Sequence, residues 1–311
     1  MNYTMEKINK ERKLIDMHTH STNSDGEQTP EEVIRCAKKA GLSAIAITDH
    51  NVFTYTKPFA DGGMQVIPGI EFSAEYYVPS WNDTTEIHVV GLFPNGVNPL
   101  EFDEIFAEID VGKEAYIHAI LADLATRDIH ITMDEVIAAK GKGKHLGRHD
   151  IAKVLIQKGI EKDIEAAFDH QIGNFSPYYI PSTRYIHYAA LKDIIHQVIE
   201  SDGIPILAHP YGYSMNEREI EQLIEEFSWL ARQECSDRLG SVEVMPAGME
   251  VYYERYLADP ERMRFLKDMQ QRYGLLASAG GDRHRDGQPF CTGGGIKLLE
   301  AMITSIGKMA K

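Results

Sequence analysis

Two histidines one residue apart, His18 and His20, close a short apolar run beginning at Leu14. On a strand, side chains two apart share a face, so both imidazoles can converge on one cation. Similar residues accompany other apolar runs. Asp49-His50 follows Ala44 to Thr48, Glu71 lies within Val66 to Phe72, and His88 lies within Ile87 to Leu92. His209 follows Pro205 to Ala208, and Asp282 with His284 follows Leu275 to Ser278. Each has an ordinary reading alone: a helix cap for Asp49, a satisfied core histidine for His88, a strand-end carboxylate for Glu71. Together they read as a metal centre, because the carboxyl ends of parallel barrel strands share one rim and active sites are built there. Imidazole and carboxylate donors without cysteine suit zinc, manganese or iron.

The elements that must position these residues follow an α/β pattern, in which short apolar runs alternate with amphipathic segments. Ala44-Ile45-Ala46-Ile47 is apolar on both faces, as a parallel strand covered by helices should be. Gly248 to Tyr252 reads as a further strand. Thr29-Pro30-Glu31-Glu32 opens a helix with a capping box and a first-turn proline, and Gly41 stops it. The strands on either side of that helix should therefore be parallel. From about residue 95 to 187 helical segments follow one another without a strand. The expected organisation is a barrel formed by residues 1–94 and 188–311, with residues 95–187 as an inserted helical module that caps the substrate. Within the module, Lys140 to Lys144 reads as flexible and Arg148 to Lys158 as a helix ending at Gly159.

Composition narrows the function classes. With 43% hydrophobic and 25% charged residues, the 311-residue chain can build a substantial core. Its formal net charge of -15 excludes broad electrostatic capture of duplex DNA. Carboxylates that hold divalent cations would cancel part of that charge. Cys36, Cys235 and Cys291 form no CxxC pair, so neither a disulfide framework nor a thiolate zinc site is expected, and a reducing, cytoplasmic setting fits. The segment Met1 to Leu14 has no apolar signal-peptide core, and no run of roughly 18 apolar residues occurs. Neither secretion nor a membrane span is expected.

The ordered stretches Asp16-Met17-His18-Thr19-His20-Ser21, Ser24-Asp25-Gly26, Thr48-Asp49-His50, Pro68-Gly69-Ile70-Glu71, Ala208-His209-Pro210 and Gly281-Asp282-Arg283-His284 resemble the PHP (polymerase and histidinol phosphatase) family. Within it, the chain is similar to the stand-alone branch of metal-dependent phosphoesterases that includes nucleoside 3',5'-bisphosphate phosphatases and a 5'-end-trimming exoribonuclease. The resemblance implies a distorted seven-stranded, TIM-like β/α barrel with two to three divalent metal ions. It implies that His18, His20, Glu71 and Asp282 hold one ion. Glu71 would bridge to a second ion bound by His88 and His209, and Asp25, His50 and His284 would hold the third. Asp49 would orient a ligand.

Gly147-Arg148-His149-Asp150 resembles a Gly-Arg-x-His signature of that branch, with Asp150 in the histidine's place. Arg148 could grip a phosphate bidentately; its other reading is a surface ion pair at a helix N-terminus. Asp150 would repel phosphate rather than bind it. Arg283 and Arg285 read as solvent-exposed, with rim charge the other reading. Lys140 to Gly147 lacks the GxxxxGK[ST] order of a phosphate-binding loop and reads as a mobile loop. His118, His130, His145, His149, His170, His187 and His196 lie away from strand ends and are expected not to be ligands. Tyr178, Tyr179, Tyr211 and Tyr213 could stack on a base or sugar, or simply pack.

The expected activity is hydrolysis of a phosphate ester by metal-bound hydroxide, with Glu71, Arg148 and His209 as catalytic residues. His209 or a metal-bound water would serve as the acid. The expected substrate is a 3',5'-bisphosphate nucleotide or short 5'-phosphorylated single-stranded RNA. The alternatives are a histidinol-phosphate-type or phosphotyrosine phosphatase using the same metals, a non-catalytic metal-binding domain, or an amidohydrolase. The last commonly needs a carboxylated lysine where the strand ends here offer Glu71.

Overall fold

The computed structural model describes residues 13–107, 109–140, 146–239 and 246–295, with 299, 300 and 304. The stretch 141–144 that was expected to be flexible, and His145, lie outside the described residues.

The sheet starts at β1 (Ile15–Asp16), whose two residues are buried. In α1 (Pro30–Ala40) the Thr29 hydroxyl accepts from the Glu32 N–H, the Glu32 carboxylate accepts from the Thr29 N–H, and Gly41 closes the helix at φ 79°. Val33, Ile34 and Ala37 on its inner face pack on Ile45 and Ile47 of β2 (Ala44–Ile47), which is parallel to β1. β3 (Phe59–Asp61), a short strand without a clear sequence signal, forms a hairpin with the fifteen-residue β4 (Met64–Val78). β4 is parallel to β2 at its start and antiparallel to β5 (Asp83–Leu92).

The helices α2 (Ile109–Ala125), α3 (Met133–Ala139), α4 (Arg148–Gln157) and α5 (Ile164–Ala167) come next. Ile117, Leu124, Val136, Ile151 and Leu155 give them a hydrophobic core separate from the larger one under the barrel, and Phe106 packs against both. The chain then returns through α6 (Leu191–Glu200), β6 (Ile204–Leu207), α7 (Glu217–Leu239), β7 (Gly248–Tyr253), α8 (Pro260–Tyr273) and β8 (Leu276–Gly280). Among the described residues, no helix is long and apolar enough to cross a membrane.

Seven strands run in the order β1-β2-β4-β5-β6-β7-β8. The ends of this sheet meet: the Met17 N–H donates to Ala279 O at 2.9 Å and the Asp282 N–H to His18 O at 2.8 Å. The result is a nearly closed barrel of mixed strands with helices outside, the expected fold class with one correction. The strands carrying the site are not all parallel. Only Pro79 to Asn82 separate β4 from β5, too few residues for a helical crossover, so the chain turns back as a hairpin with Asn82 at φ 51°. β5 is therefore antiparallel to both β4 and β6. His88 reaches the rim from a strand running the other way, opposite Ser73, and Glu71 sits mid-strand because β4 runs on to Val78.

Candidate metal centre

β1 ends two residues before His18, so the chain carries His18 and His20 over the rim, while His50 pairs backbone-to-backbone with Glu71 just beyond β2. His209 and Asp282 stand two residues beyond the ends of β6 and β8 and hold φ values of 25° and 46°. Non-glycine residues rarely adopt this region, and such strain concentrates at functional sites.

The centre is organised around the buried Glu71 carboxylate. Its Oε2 lies 3.1 Å from His18 Nε2, 3.2 Å from His20 Nε2 and 3.2 Å from His50 Nδ1. Its Oε1 lies 2.9 Å from His88 Nδ1 and 3.0 Å from His209 Nε2. Five imidazole nitrogens thus face one carboxylate, yet Oε2 has no hydrogen-bond partner of acceptable geometry. Ring nitrogens also face one another, His18 Nε2 and His20 Nε2 at 3.1 Å and His88 Nδ1 and His209 Nε2 at 3.3 Å. Nitrogen lone pairs aimed at one point, beside an unsatisfied carboxylate oxygen, are the donor arrangement that a divalent cation needs. These residues fit the metal reading.

Three groupings bring their donor atoms within 4.8 Å: His18, His20, Glu71 and Asp282; His20, Asp25, His50 and His284; and His50, Glu71 and His88. Eight of the nine expected ligand positions fall in these groups, with His20 and His50 each in two rather than one. His209 joins none of them, and His50 stands with Glu71 and His88 where His209 was expected, although His209 Nε2 lies 3.0 Å from Glu71 Oε1. The electrostatics follow from that crowding. Burial disfavours the charged imidazole, but the Glu71 and Glu250 carboxylates hold His18 well above its usual range. His20 and His88 are likewise raised to about 10, against burial, by Asp282 and Glu71 for the first and Glu71 and Glu86 for the second. His50 is pushed down to about 4 by burial, which the charges of Glu71 and Asp25 do not overcome. Burial raises Glu71, Asp25 and Asp282, yet neighbouring imidazoles hold all three well below the usual carboxylate range. Without cations, protons on imidazoles must balance these acids; cations would displace them.

Several supporting residues escaped the sequence reading. Glu250 on β7 places Oε1 2.8 Å from His18 Nδ1 and accepts the His209 backbone N–H at 2.6 Å. A Cβ on the neighbouring Gly280 would fall on Glu250 Oε1 and on His18 Cβ, so glycine is required there. One signal was available: a carboxylate in the otherwise apolar run Gly248-Met249-Glu250-Val251. Glu86 on β5 lies 3.3 Å from His88 Nε2 and accepts from Ser182, and Tyr253 donates to Asp282 at 2.7 Å. Asp49, expected to orient a ligand, accepts from the Ser21 N–H, the Ser21 and Ser24 hydroxyls and Thr54, and so ties down the loop that carries Asp25.

The helical segment roofs this centre, leaving a cavity of about 770 Å³ lined by residues of both parts. Arg148 lines the cavity rather than forming a surface ion pair. Its guanidinium donates to Asn174 Oδ1 at 2.8 Å and Ile172 O at 3.3 Å, and lies 5.5 Å from the Phe168 ring and 5.8 Å from that of Tyr179. Asp150 caps α4 through the Gly147 N–H and pairs with Lys153 at 3.0 Å, so its charge is compensated inside the helix. His149, expected to stand apart, reaches Asp25 at 2.9 Å. The expectation that Arg283 is exposed is overturned. It is 2% exposed, donates to Gln288 O and Gln28 Oε1, and covers the Phe290 ring. Arg285 stays at the cavity wall, 3.2 Å from Glu165. Tyr213 is buried against the His88 and Ala208 backbone, so it packs. Tyr211 lines the cavity with Arg262 5.0 Å above its ring, whereas Tyr178 is exposed and stacked under Arg127. His118, His170 and His196 lie on the surface beside glutamates, and His130 and His187 are exposed.

The family model described as "PHP domain" matches residues 16–201. The 3',5'-nucleoside bisphosphate phosphatase of Chromobacterium violaceum is 28% identical over 280 residues, covering 88% of each chain. The 5'-3' exoribonuclease Rnm of Escherichia coli is 24% identical over 221 residues, 69% of this chain and 71% of that one. Among solved structures, a Chromobacterium violaceum amidohydrolase with bound sulfate and no metal superimposes with a TM-score of 0.67 at 24% identity, covering 89% of both chains, and shows the shared fold.

Proposed function

This chain belongs to the PHP domain family, and from that premise we propose that it is a metal-dependent phosphoesterase acting on a nucleotide, either a 3',5'-bisphosphate or short 5'-phosphorylated RNA. The observation that carries the reading is the Glu71 carboxylate with five imidazole nitrogens within 3.2 Å. We assign one ion to His18, His20, Glu71 and Asp282, a second to Glu71, His88 and His209, and a third to Asp25, His50 and His284, with two or three ions bound in all. Divalent zinc, manganese or iron there would supply Lewis acidity, acidifying a water towards neutrality and neutralising phosphate oxygens.

The protein's own contribution is placement. Asn174 and the Ile172 carbonyl hold the Arg148 guanidinium on one side, leaving the remaining N–H groups of its planar fork for a phosphate. His209 directs Nε2 at Glu71 while Nδ1 is buried without a partner, so we assign it as a ligand rather than the acid for the leaving group. We take residues 95–187 as the module that covers the substrate. The cavity falls in the size range of small-molecule sites and can hold a nucleotide; Tyr211, beneath Arg262, offers an aromatic face for its base or sugar. That room favours a nucleotide over histidinol phosphate. The relatives named above act on nucleotide or RNA substrates, which supports the same choice.

The test is phosphate or nucleotide release by the manganese-loaded protein from a nucleoside 3',5'-bisphosphate, a short 5'-phosphorylated RNA and histidinol phosphate. The first or second should be turned over far faster than the third. Metal-loaded protein that turns over no phosphoester overturns the proposal and leaves a metal-binding scaffold.

A further inference from the structure

Among the described residues of the helical segment, His149 is the one side chain for which the structure records an ion pair with a residue of the proposed third metal group. Its Nδ1 lies 2.9 Å from Asp25 Oδ2, while Asp25 Oδ1 faces His284 Nε2 at 3.3 Å and His20 Nδ1 at 3.6 Å. The imidazole is fixed from both sides, 5.0 Å from the Phe168 ring and stacked at 5.1 Å and 17° on His284. Asp25 itself sits on a loop between β1 and α1, outside any regular element. Ser24 Oγ also donates to Asp25 Oδ1 at 3.3 Å and His50 Nε2 lies 3.7 Å from Oδ2, and His149, at the start of α4, adds the shortest recorded contact to this carboxylate from across the cavity.

We infer that His149 is a positioning residue for Asp25, so that the third ion site is completed by the module and its occupancy is coupled to the order of the first turn of α4. This rests on the metal reading above and deepens it. Coupling of this kind is reciprocal: if His149 improves ion binding by holding Asp25, ion binding must in turn favour the conformation that presents His149. Second partners of metal-ligating groups typically alter affinity by about 10–100-fold. The loss should be confined to one of the binding steps, because Glu71, His18 and Asp282 make no recorded contact with His149.

The experiment is manganese binding by calorimetry, with elemental analysis, on the wild type, His149→Ala and His149→Asn, together with hydrogen exchange over residues 148–157 with and without the metal. Asparagine keeps an N–H donor near the position of Nδ1. One manganese step should weaken roughly tenfold or more in His149→Ala, with the other steps unchanged, and be largely restored in His149→Asn. Manganese should slow exchange at the start of α4 in the wild type and His149→Asn but not in His149→Ala. Wild-type protein that binds no manganese sinks the metal reading itself. Wild-type binding with an unchanged isotherm in His149→Ala, loss spread over every step, or failure of asparagine to restore affinity overturns the inference about His149 alone.

Discussion

The Glu250 carboxylate joins two neighbouring parts of the rim: Oε1 lies 2.8 Å from His18 Nδ1 and Oε2 accepts the His209 backbone N–H at 2.6 Å. A histidine that donates one ring N–H to a carboxylate has its tautomer and direction fixed, leaving the other nitrogen for a cation. Glu250→Gln keeps the shape but removes the charge. Its metal affinity should fall by about 10–100-fold while the fold is retained. Titration with a chelator that competes for the metal measures this; an affinity equal to the wild type would remove Glu250 from the centre.

Glu71→Gln tests the middle of the cluster. An amide offers one acceptor oxygen where the carboxylate offers two, and it cannot balance the charge of two cations. At least one ion per chain should be lost by elemental analysis, and turnover should fall by at least about a hundredfold, the upper end of what losing a supporting partner costs. A full complement of metal in this variant would contradict the bridging assignment.

Chelation tests the whole centre. Prolonged dialysis against a strong chelator should abolish phosphoester hydrolysis, and manganese or zinc should restore it. Undiminished activity in protein shown by elemental analysis to be metal-free would rule out metal-dependent hydrolysis.

The barrel and its rim were legible in the sequence because each depends on short-range pattern: apolar runs, a capping box at Thr29 and Glu32, and polar residues directly after strands. The direction of β5 was not, since only the four-residue link before it distinguishes a hairpin from a crossover, and both leave His88 in an apolar run. Glu250 was missed because it lies within a strand and acts on His18, 232 positions away. His149 was set aside because it lies on a helix, where nothing local announces that the helix roofs a cavity. Arg283 was misread for a related reason: the glutamine partners that make its burial tolerable, Gln28 and Gln288, are unremarkable in sequence.

For Arg148 the expected defect is in substrate handling. Arg148→Lys keeps a positive charge but loses the planar fork, so lysine should not restore bidentate contact. A lost charge-assisted contact of about 1.5–3 kcal/mol corresponds to roughly a 10–100-fold fall in kcat/KM. Metal content should stay at the wild-type level. Steady-state kinetics beside elemental analysis checks both, and parity of the lysine variant with wild type would exclude the bidentate role.

Arg283 lies between Asp282 and His284, yet its side chain turns inward and is 2% exposed. Its guanidinium donates to the Gln288 carbonyl at 3.1 Å and to the Gln28 side chain, while Asp286, 3.4 Å away and largely exposed, is its only acidic partner among the described residues. Replacement by methionine preserves length and apolar packing on Phe290 but strands both acceptors. Because hydrogen bonds to a charged group contribute about 1.5–3 kcal/mol each and buried unpaired acceptors are costly, Arg283→Met should lower unfolding stability by about 2–3 kcal/mol. Urea unfolding followed by circular dichroism reads this directly. A rim arginine meeting phosphate would behave the opposite way, with stability intact and KM raised, and that outcome would return Arg283 to the substrate.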